Sequence, residues 1–238
     1  LHSAARNSLN ALAAAEGVKV VDDVAPAELL CAGAARQPIE PAERAYARLE
    51  QLADKGEEAL ARRPRSADPA VRAEEAWFVP LEHGVEVDAL SADDIQTQLD
   101  TGDERLVPDG LGTLIARLGA AFPVQLSTPV RRIAWDGPGV EVETDRGTLR
   151  AKAAIVTVSP GVLAFEDIAF TPDLPDVHLE AIFDLPMGLL TKVPLHIVGT
   201  RLGLRPFDDV LMERHARHDV FFLAFPFDTE LMVGFVGG

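Results

Sequence analysis

The spacing of apolar residues predicts helices in the first half of the chain. Ala4–Glu16 is rich in alanine and is followed by Gly17, a residue that commonly ends helices. Across Pro41–Ala61, apolar residues recur every three or four positions among charged ones, which predicts one amphipathic helix. The pair Asp68-Pro69 is typical of a capped helix start.

The second half of the chain carries the patterns of strands. Val140–Asp145 alternates apolar with polar residues, which is the period of a half-exposed strand. Ala153–Val158 is a continuous apolar stretch, and it predicts a strand buried on both faces. A helix over Pro172–Asp184 and three later strands are also expected, the strands at Val193–Val198, Val220–Phe225 and Leu231–Phe235. The mixture predicts an α+β fold, in which a mixed β-sheet is flanked by helices.

Composition places the 238-residue chain among globular proteins, because 47% of its residues are hydrophobic and 25% are charged. These values exclude disorder throughout the chain. The uncharged run Ala153–Phe165, which no other uncharged run exceeds, is shorter than the roughly 18–20 apolar residues of a membrane-spanning helix. The single cysteine excludes an internal disulfide and a cysteine-rich metal site.

The net charge of −16 makes nucleic acid and anionic membrane surfaces unfavourable partners, since both are negatively charged. A cationic ligand is compatible with this charge. The segment Glu82–Glu104 contains acidic residues and no Lys or Arg. Its electric field could steer a cationic substrate, although acidic segments of this kind more often form a solvent-exposed charged surface.

Two short motifs suggest chemistry but favour structural roles. Gly110–Ile115 resembles a dinucleotide fingerprint that lacks its third glycine, so we expect a plain helix start there. Glu213, His215 and His218 are residue types that bind metals, but their spacing does not match a helical metal motif. We therefore expect a polar turn and no metal site.

Lys192 is one of four lysines and lies within an apolar stretch. A buried lysine without a partner is costly, and its pKa falls readily, which suits a catalytic or cofactor-facing role. An exposed lysine at the start of a strand explains the same pattern, and the local sequence leaves both interpretations open.

Six segments resemble, in order, motifs of the flavin-dependent amine oxidase family, which includes monoamine and polyamine oxidases. They are Leu1–Asn7, Arg105–Leu111, Thr128–Ile133, Ala154–Leu163, Ile168–Pro175 and Gly188–Val193. In the family, a G-x-G-x-x-G Rossmann segment precedes these motifs and a G-E-x-T flavin segment follows them. Neither motif lies within this sequence, so the resemblance implies a central fragment of such an enzyme.

The resemblance also implies a domain organisation. Residues 1–24 would form an edge segment of the flavin domain, and residues 25–121 the mainly helical part of the substrate domain. Residues 122–160 would supply β-rich strands of the flavin domain. Residues 161–238 would form the sheet and a helix of the substrate domain.

Site residues follow from the same resemblance. Val130 would contact the adenine end of FAD through its backbone, and Thr157 and Val158 would lie against the flavin end. Lys192 would be the catalytic residue and would hold a water at flavin N5, where it assists reoxidation by oxygen. The implied reaction transfers hydride from a small-molecule amine to FAD and ends in hydrogen peroxide.

Alternatives to this function remain open at the level of sequence. The isolated chain is expected to bind FAD poorly and to be inactive. It could instead be a non-catalytic binding module with the same fold, or part of a flavin desaturase acting on C–C bonds. Desaturases on this scaffold usually lack the lysine that matches Lys192, which favours the amine oxidase. The expected location is cytoplasmic, and the identity of the amine and the oligomeric state stay undetermined.

Overall fold

A computed structural model describes residues 1–23, 28–32, 35–39, 43–97 and 102–238. The helices are α1 Ser8–Ala15, α2 Glu43–Ala53, α3 Glu57–Ala61, α4 Pro69–His83, α5 Ala92–Thr97, α6 Leu111–Gly119, α7 Pro160–Ala164 and α8 Asp176–Asp184, with short 3-10 turns at Val87–Ala89 and Pro226–Asp228. The strands are β1 Val21–Asp22, β2 Glu28–Ala32, β3 Ala35–Ile39, β4 Arg105–Leu106, β5 Val130–Ala134, β6 Val140–Thr144, β7 Gly147–Ala151, β8 Ala169–Thr171, β9 Leu190–His196, β10 Asp209–Met212, β11 Phe221–Ala224 and β12 Leu231–Gly237.

The chain forms two compact units. The larger unit comprises Leu1–Leu118 and Gly188–Gly238, and the smaller unit comprises Gly119–Met187. Helices and mixed sheets occur together, which confirms the predicted α+β class. None of the described helices is both long enough and apolar enough to cross a membrane.

A six-stranded sheet is the framework of the larger unit. Its strand order is β3-β2-β10-β11-β12-β9, and only the pair β2 and β10 is parallel. Helix α4 packs against this sheet, where Trp77 is buried beside Leu211 and Phe221. The Trp77 indole Nε1 donates a hydrogen bond of 2.7 Å to the carbonyl of Met212. This bond satisfies the buried indole and links the helix to β10.

The helix predicted over Pro41–Ala61 is two helices, α2 and α3. The break lies at Gly56, whose φ of 93° is accessible to glycine and interrupts the helical backbone. Pro41 itself lies outside the described residues. The apolar stripe is nevertheless real, because Leu49 and Leu60 are both buried in the core of the larger unit.

Other helix predictions agree with the structure. Asp68 caps α4, since its side chain accepts a hydrogen bond from the backbone N–H of Ala70, and Pro69 is the first helical residue. Helix α1 ends before Gly17 as expected, but it begins at Ser8, where Asn7 provides the N-cap.

The end of α4 meets the start of β9 through close backbone contact. The backbone N–H of Leu189 donates a hydrogen bond of 2.7 Å to the carbonyl of Gly84. A Cβ added at Gly188 would collide with the carbonyl oxygen of His83, and one added at Gly237 would collide with that of Pro80. The approach of β9 and β12 to the helix therefore depends on residues without side chains.

The smaller unit contains a four-stranded sheet of order β7-β6-β5-β8, with β5 and β8 parallel. Strand β6 lies within the strand predicted at Val140–Asp145. Ile133 is a buried residue at the centre of this sheet.

The prediction of a buried strand over Ala153–Val158 is wrong. The segment belongs to no strand of the described chain, and Ile155 is 90% exposed. The last sheet strand before it, β7, ends at Ala151, and no described strand runs beside the residues that follow. A strand needs a neighbour for its backbone hydrogen bonds, so apolar composition was insufficient here.

Candidate functional site

Lys192 lies on the edge strand β9 with its side chain exposed. Its partner across the sheet is Phe235 of β12, and Nζ lies 5.1 Å from the centre of that ring. A lysine ammonium over an aromatic face is stabilised by a cation–π interaction. The Lys192 side chain is therefore exposed, and its ammonium lies beside an aromatic ring.

Apolar side chains accompany Lys192 on the same strand. Leu190, Val193 and Leu195 are all exposed, although each is a large aliphatic residue. Several exposed aliphatic side chains on one edge strand are typical of a surface that a ligand or another segment covers.

The three predicted cofactor-binding residues lie in the smaller unit, whereas Lys192 lies in the larger one. Val130 is the first residue of β5 and pairs with Thr144 of β6, at a shift in strand register. Thr157 and Val158 are adjacent, exposed and in no strand.

The backbone around Thr157 and Val158 is available for bonding. No hydrogen bond joins the backbone of Ala153–Val158 to any other described residue. The segment therefore presents free N–H and C=O groups beside exposed apolar side chains such as Ile155.

The two weak motifs form the start of a helix and a polar turn. Helix α6 starts at Leu111 directly after Gly110, as expected of a plain helix start. In the His-containing segment, the carboxylate of Asp219 accepts hydrogen bonds from the backbone N–H groups of His215 (2.6 Å) and Ala216 (2.8 Å). These bonds hold the pKa of Asp219 below its usual value and close a polar turn.

A cavity of about 530 Å³ in the larger unit was not predicted from the sequence. It is lined by Ala61, Arg63, Arg65, Arg72, Glu75, Ala76, Glu86, Val87, Asp88, Glu213, Arg214, His215, Ala216 and Arg217. The basic runs Arg62-Arg63-Pro64-Arg65 and Arg214–Arg217 in an otherwise acidic chain were the signal that could have indicated it.

Buried ion pairs form part of the wall of this cavity. The Arg214 side chain is buried and makes two hydrogen bonds to the carboxylate of Glu86, at 2.8 and 2.9 Å. The carboxylate of Glu75 is buried with Arg48 Nε 2.7 Å away. Burial raises the pKa of Glu75, although the charges of Arg48 and Arg63 oppose the rise.

Comparison with known proteins identifies the family. Residues 16–200 match the family model described as flavin containing amine oxidoreductase. The chain belongs to this family. The match covers the greater part of the sequence and includes Val130, Thr157, Val158 and Lys192.

Curated members of the flavin amine oxidoreductases share moderate sequence identity with the chain. Polyamine oxidase 4 of Oryza sativa subsp. japonica is 35% identical over 129 residues, which are 51% of this chain and 24% of that protein. Lysine-specific histone demethylase 2 of Homo sapiens is 34% identical over 95 residues, 40% of this chain and 12% of that protein. The matched part is thus about a quarter or less of these relatives' length.

Solved flavin amine oxidases share the fold. Cyclohexylamine oxidase from Brevibacterium oxydans IH-35A superposes with a TM-score of 0.72 and 20% identity, over 98% of this chain and 62% of that one. Putrescine oxidase bound to putrescine gives 0.69 and 16%, over 100% and 63%. At such identities the likeness concerns the fold, and this chain spans less than two thirds of either structure.

Proposed function

We propose that the intact parent of this chain oxidises a small-molecule amine, with FAD as its cofactor. The observation that carries the proposal is Lys192, which stands exposed on β9 within the segment that matches the amine oxidoreductase family. The names of its relatives point to amines, since they include a polyamine oxidase, a putrescine oxidase and a cyclohexylamine oxidase.

The charge of the chain supports an amine substrate. At neutral pH an alkylamine is a cation, and a chain with a net charge of −16 attracts cations at long range. This field raises the rate of encounter and leaves the choice among amines to the shape of the site.

Val130, Thr157 and Val158 would hold the FAD. The unpaired backbone of Ala153–Val158 can bond a polar edge, and the exposed Ile155 offers apolar contact, so this part of the chain fits a flavin. Bound there, FAD would supply the hydride acceptor of amine oxidation and the site of reaction with oxygen.

Lys192 would act through its ammonium group. The ammonium has three N–H donors and no acceptor, so it can hold a water molecule by donating to the water oxygen. The ring of Phe235, its partner across the sheet, stabilises the ammonium through a cation–π interaction. The step that would depend on this water is the transfer of electrons from the reduced flavin to oxygen.

The test is Lys192→Met in the full-length parent, followed by rapid mixing of the reduced enzyme with oxygen. We expect reoxidation to slow by about tenfold or more, because a positioned proton donor contributes at least that factor. Reduction by the amine should change little. The control is Lys55→Met, which removes an exposed lysine between α2 and α3.

Flavin absorbance at full occupancy would show that both variants are folded and loaded. An unchanged rate of reaction with oxygen in Lys192→Met would remove this lysine from the mechanism. Slowing of the same size in Lys55→Met would assign the effect to charge alone.

We further propose that these 238 residues by themselves bind FAD weakly. The G-x-G-x-x-G segment, which places a helix N-terminus against phosphate groups, does not occur in this sequence. Titration of the chain with FAD, followed by flavin fluorescence, should show no saturation in the micromolar range. Saturable binding there would contradict the proposal.

A further inference from the structure

The arginine-lined cavity of the larger unit is built from separate stretches of chain. The stretch after α3 contributes Arg63 and Arg65, and the stretch after β10 contributes Arg214 and Arg217. Helix α4 contributes Arg72 and Glu75, and the residues that follow it contribute Glu86 and Asp88. Elements distant in sequence therefore converge on one space of about 530 Å³.

The charge of this lining differs in sign from that of the chain. Five arginines line the cavity against four carboxylates, Glu75, Glu86, Asp88 and Glu213. The lining is thus net positive, whereas the chain carries −16. At physiological salt, charges beyond about 8–10 Å are largely screened, so the lining residues contribute more to the field inside the cavity than the distant acidic residues do.

Two of the five arginines have structural partners. Arg214 is bonded to Glu86 and also donates to the carbonyl of Gly237 at 2.7 Å. Arg72 donates to the carbonyls of Ser66 and Ala67 at 3.0 Å. These two guanidinium groups stabilise the cavity wall, and their hydrogen bonds go to other groups of the protein.

The other three arginines have donors to spare. Among the described residues, no carboxylate lies within ion-pairing distance of Arg63 or Arg65. Arg217 is largely exposed, and its nearest carboxylate, that of Glu86, lies 3.9 Å away. His215 lines the same cavity.

We propose that this cavity binds a small polyanion, a molecule with two or more phosphate or carboxylate groups. Guanidinium groups form paired, charge-assisted hydrogen bonds with both kinds of oxyanion. Arg63 and Arg65 come from one segment and Arg217 from another, so a ligand with at least two anionic groups can engage Arg63 and Arg65 with one group and Arg217 with another.

This site is independent of the proposed amine oxidation. None of Val130, Thr157, Val158 or Lys192 lines the cavity, and its net positive lining disfavours an amine cation. Failure of one proposal therefore leaves the other standing.

Calorimetric titration of this chain with inorganic pyrophosphate and with citrate tests the proposal. We expect saturable binding at a stoichiometry of one by at least one of the two, weakened as salt rises from about 20 mM to about 150 mM. Binding of pyrophosphate alone identifies a phosphate site, and binding of citrate alone identifies a carboxylate site.

Three variants make the test specific. Arg63→Gln and Arg65→Gln should each weaken binding by about tenfold, since each removes charge-assisted bonds. Arg146→Gln, which removes an exposed arginine in the turn between β6 and β7, should leave binding unchanged. Thermal unfolding of each variant checks that the fold is intact.

Absence of binding by both anions would overturn the proposal. It would also be overturned if affinity survived in both Arg63→Gln and Arg65→Gln, or if Arg146→Gln weakened binding as much as they do.

Discussion

Glu75 illustrates how a single side chain can make stability depend on pH. Its carboxylate is buried in α4, and burial raises its pKa despite the nearby Arg48. A raised folded-state pKa means that the native protein holds this proton more tightly than the unfolded chain does. The stabilisation is therefore fully present below the unfolded pKa of 4.5 and is lost as pH rises through the higher folded value.

We expect Glu75→Gln to gain stability relative to the wild type as pH rises from about 4 to about 7. Glutamine cannot ionise, so the variant avoids the cost of a buried carboxylate. The attraction between the ionised Glu75 and Arg48 offsets part of that cost, but burial is the larger effect and the pKa of Glu75 is raised. Urea unfolding at the two pH values measures the difference. Glu50→Gln, an exposed change on α2, is the control. If the free energy of unfolding of Glu75→Gln falls relative to that of the wild type as pH rises, the pKa of Glu75 is not raised.

At the scale of elements, the junction of α4 with β9 and β12 fixes the strand that carries Lys192. Leu189 is bonded to the backbone of Gly84, and Gly238 N donates to the carbonyl of Leu189 at 3.1 Å. Gly188 lies against the carbonyl of His83, so there is no room for a methyl group. Backbone contacts therefore help to place the start of β9.

Gly188→Ala should destabilise the chain by about 1–3 kcal/mol, because the added methyl forces the strand away from the helix. Gly112→Ala is the matched control, since Gly112 lies in α6 with open space around its Cα. Alanine favours the helix there by roughly 0.5–1 kcal/mol. Urea denaturation measures the free energy of unfolding of both variants and of the wild type. An unchanged free energy of unfolding in Gly188→Ala would show that the junction tolerates a side chain.

At the scale of the whole molecule, the two units differ in how much apolar surface they bury. The larger unit has several buried clusters, which include Leu49, Leu60, Trp77 and Phe225. In the smaller unit, whose residues are all described, Ile133 alone is a buried apolar residue. Burial of apolar area is the main source of stability, so the smaller unit has little of its own.

Amide hydrogen exchange should reveal this difference. We expect the amides of β5–β7 to exchange faster than those of β11 and β12 in this chain, since local opening is easiest where few apolar side chains are buried. Mass spectrometry after peptic digestion resolves the two regions. Protection of β5–β7 equal to that of β11 and β12 would contradict the expected order.

The sequence by itself determined those features that depend on neighbouring residues. Asp68-Pro69 specified the start of α4, because a cap and a proline act within one helical turn. Val140–Asp145 specified a strand through its alternation. The ordered motifs also indicated the flavin amine oxidase family, which the match over residues 16–200 confirms.

Only the tertiary structure decided what depends on residues far apart in the chain. Leu29 of β2 pairs with Val210 of β10, and no local pattern encodes a pairing over that separation. The exposure of Ala153–Val158 depended on the absence of a described strand beside it. The arginine-lined cavity likewise exists only because folding brings Arg63 and Arg217 close together. Local periodicity carries no information about contacts between residues that are far apart in the sequence.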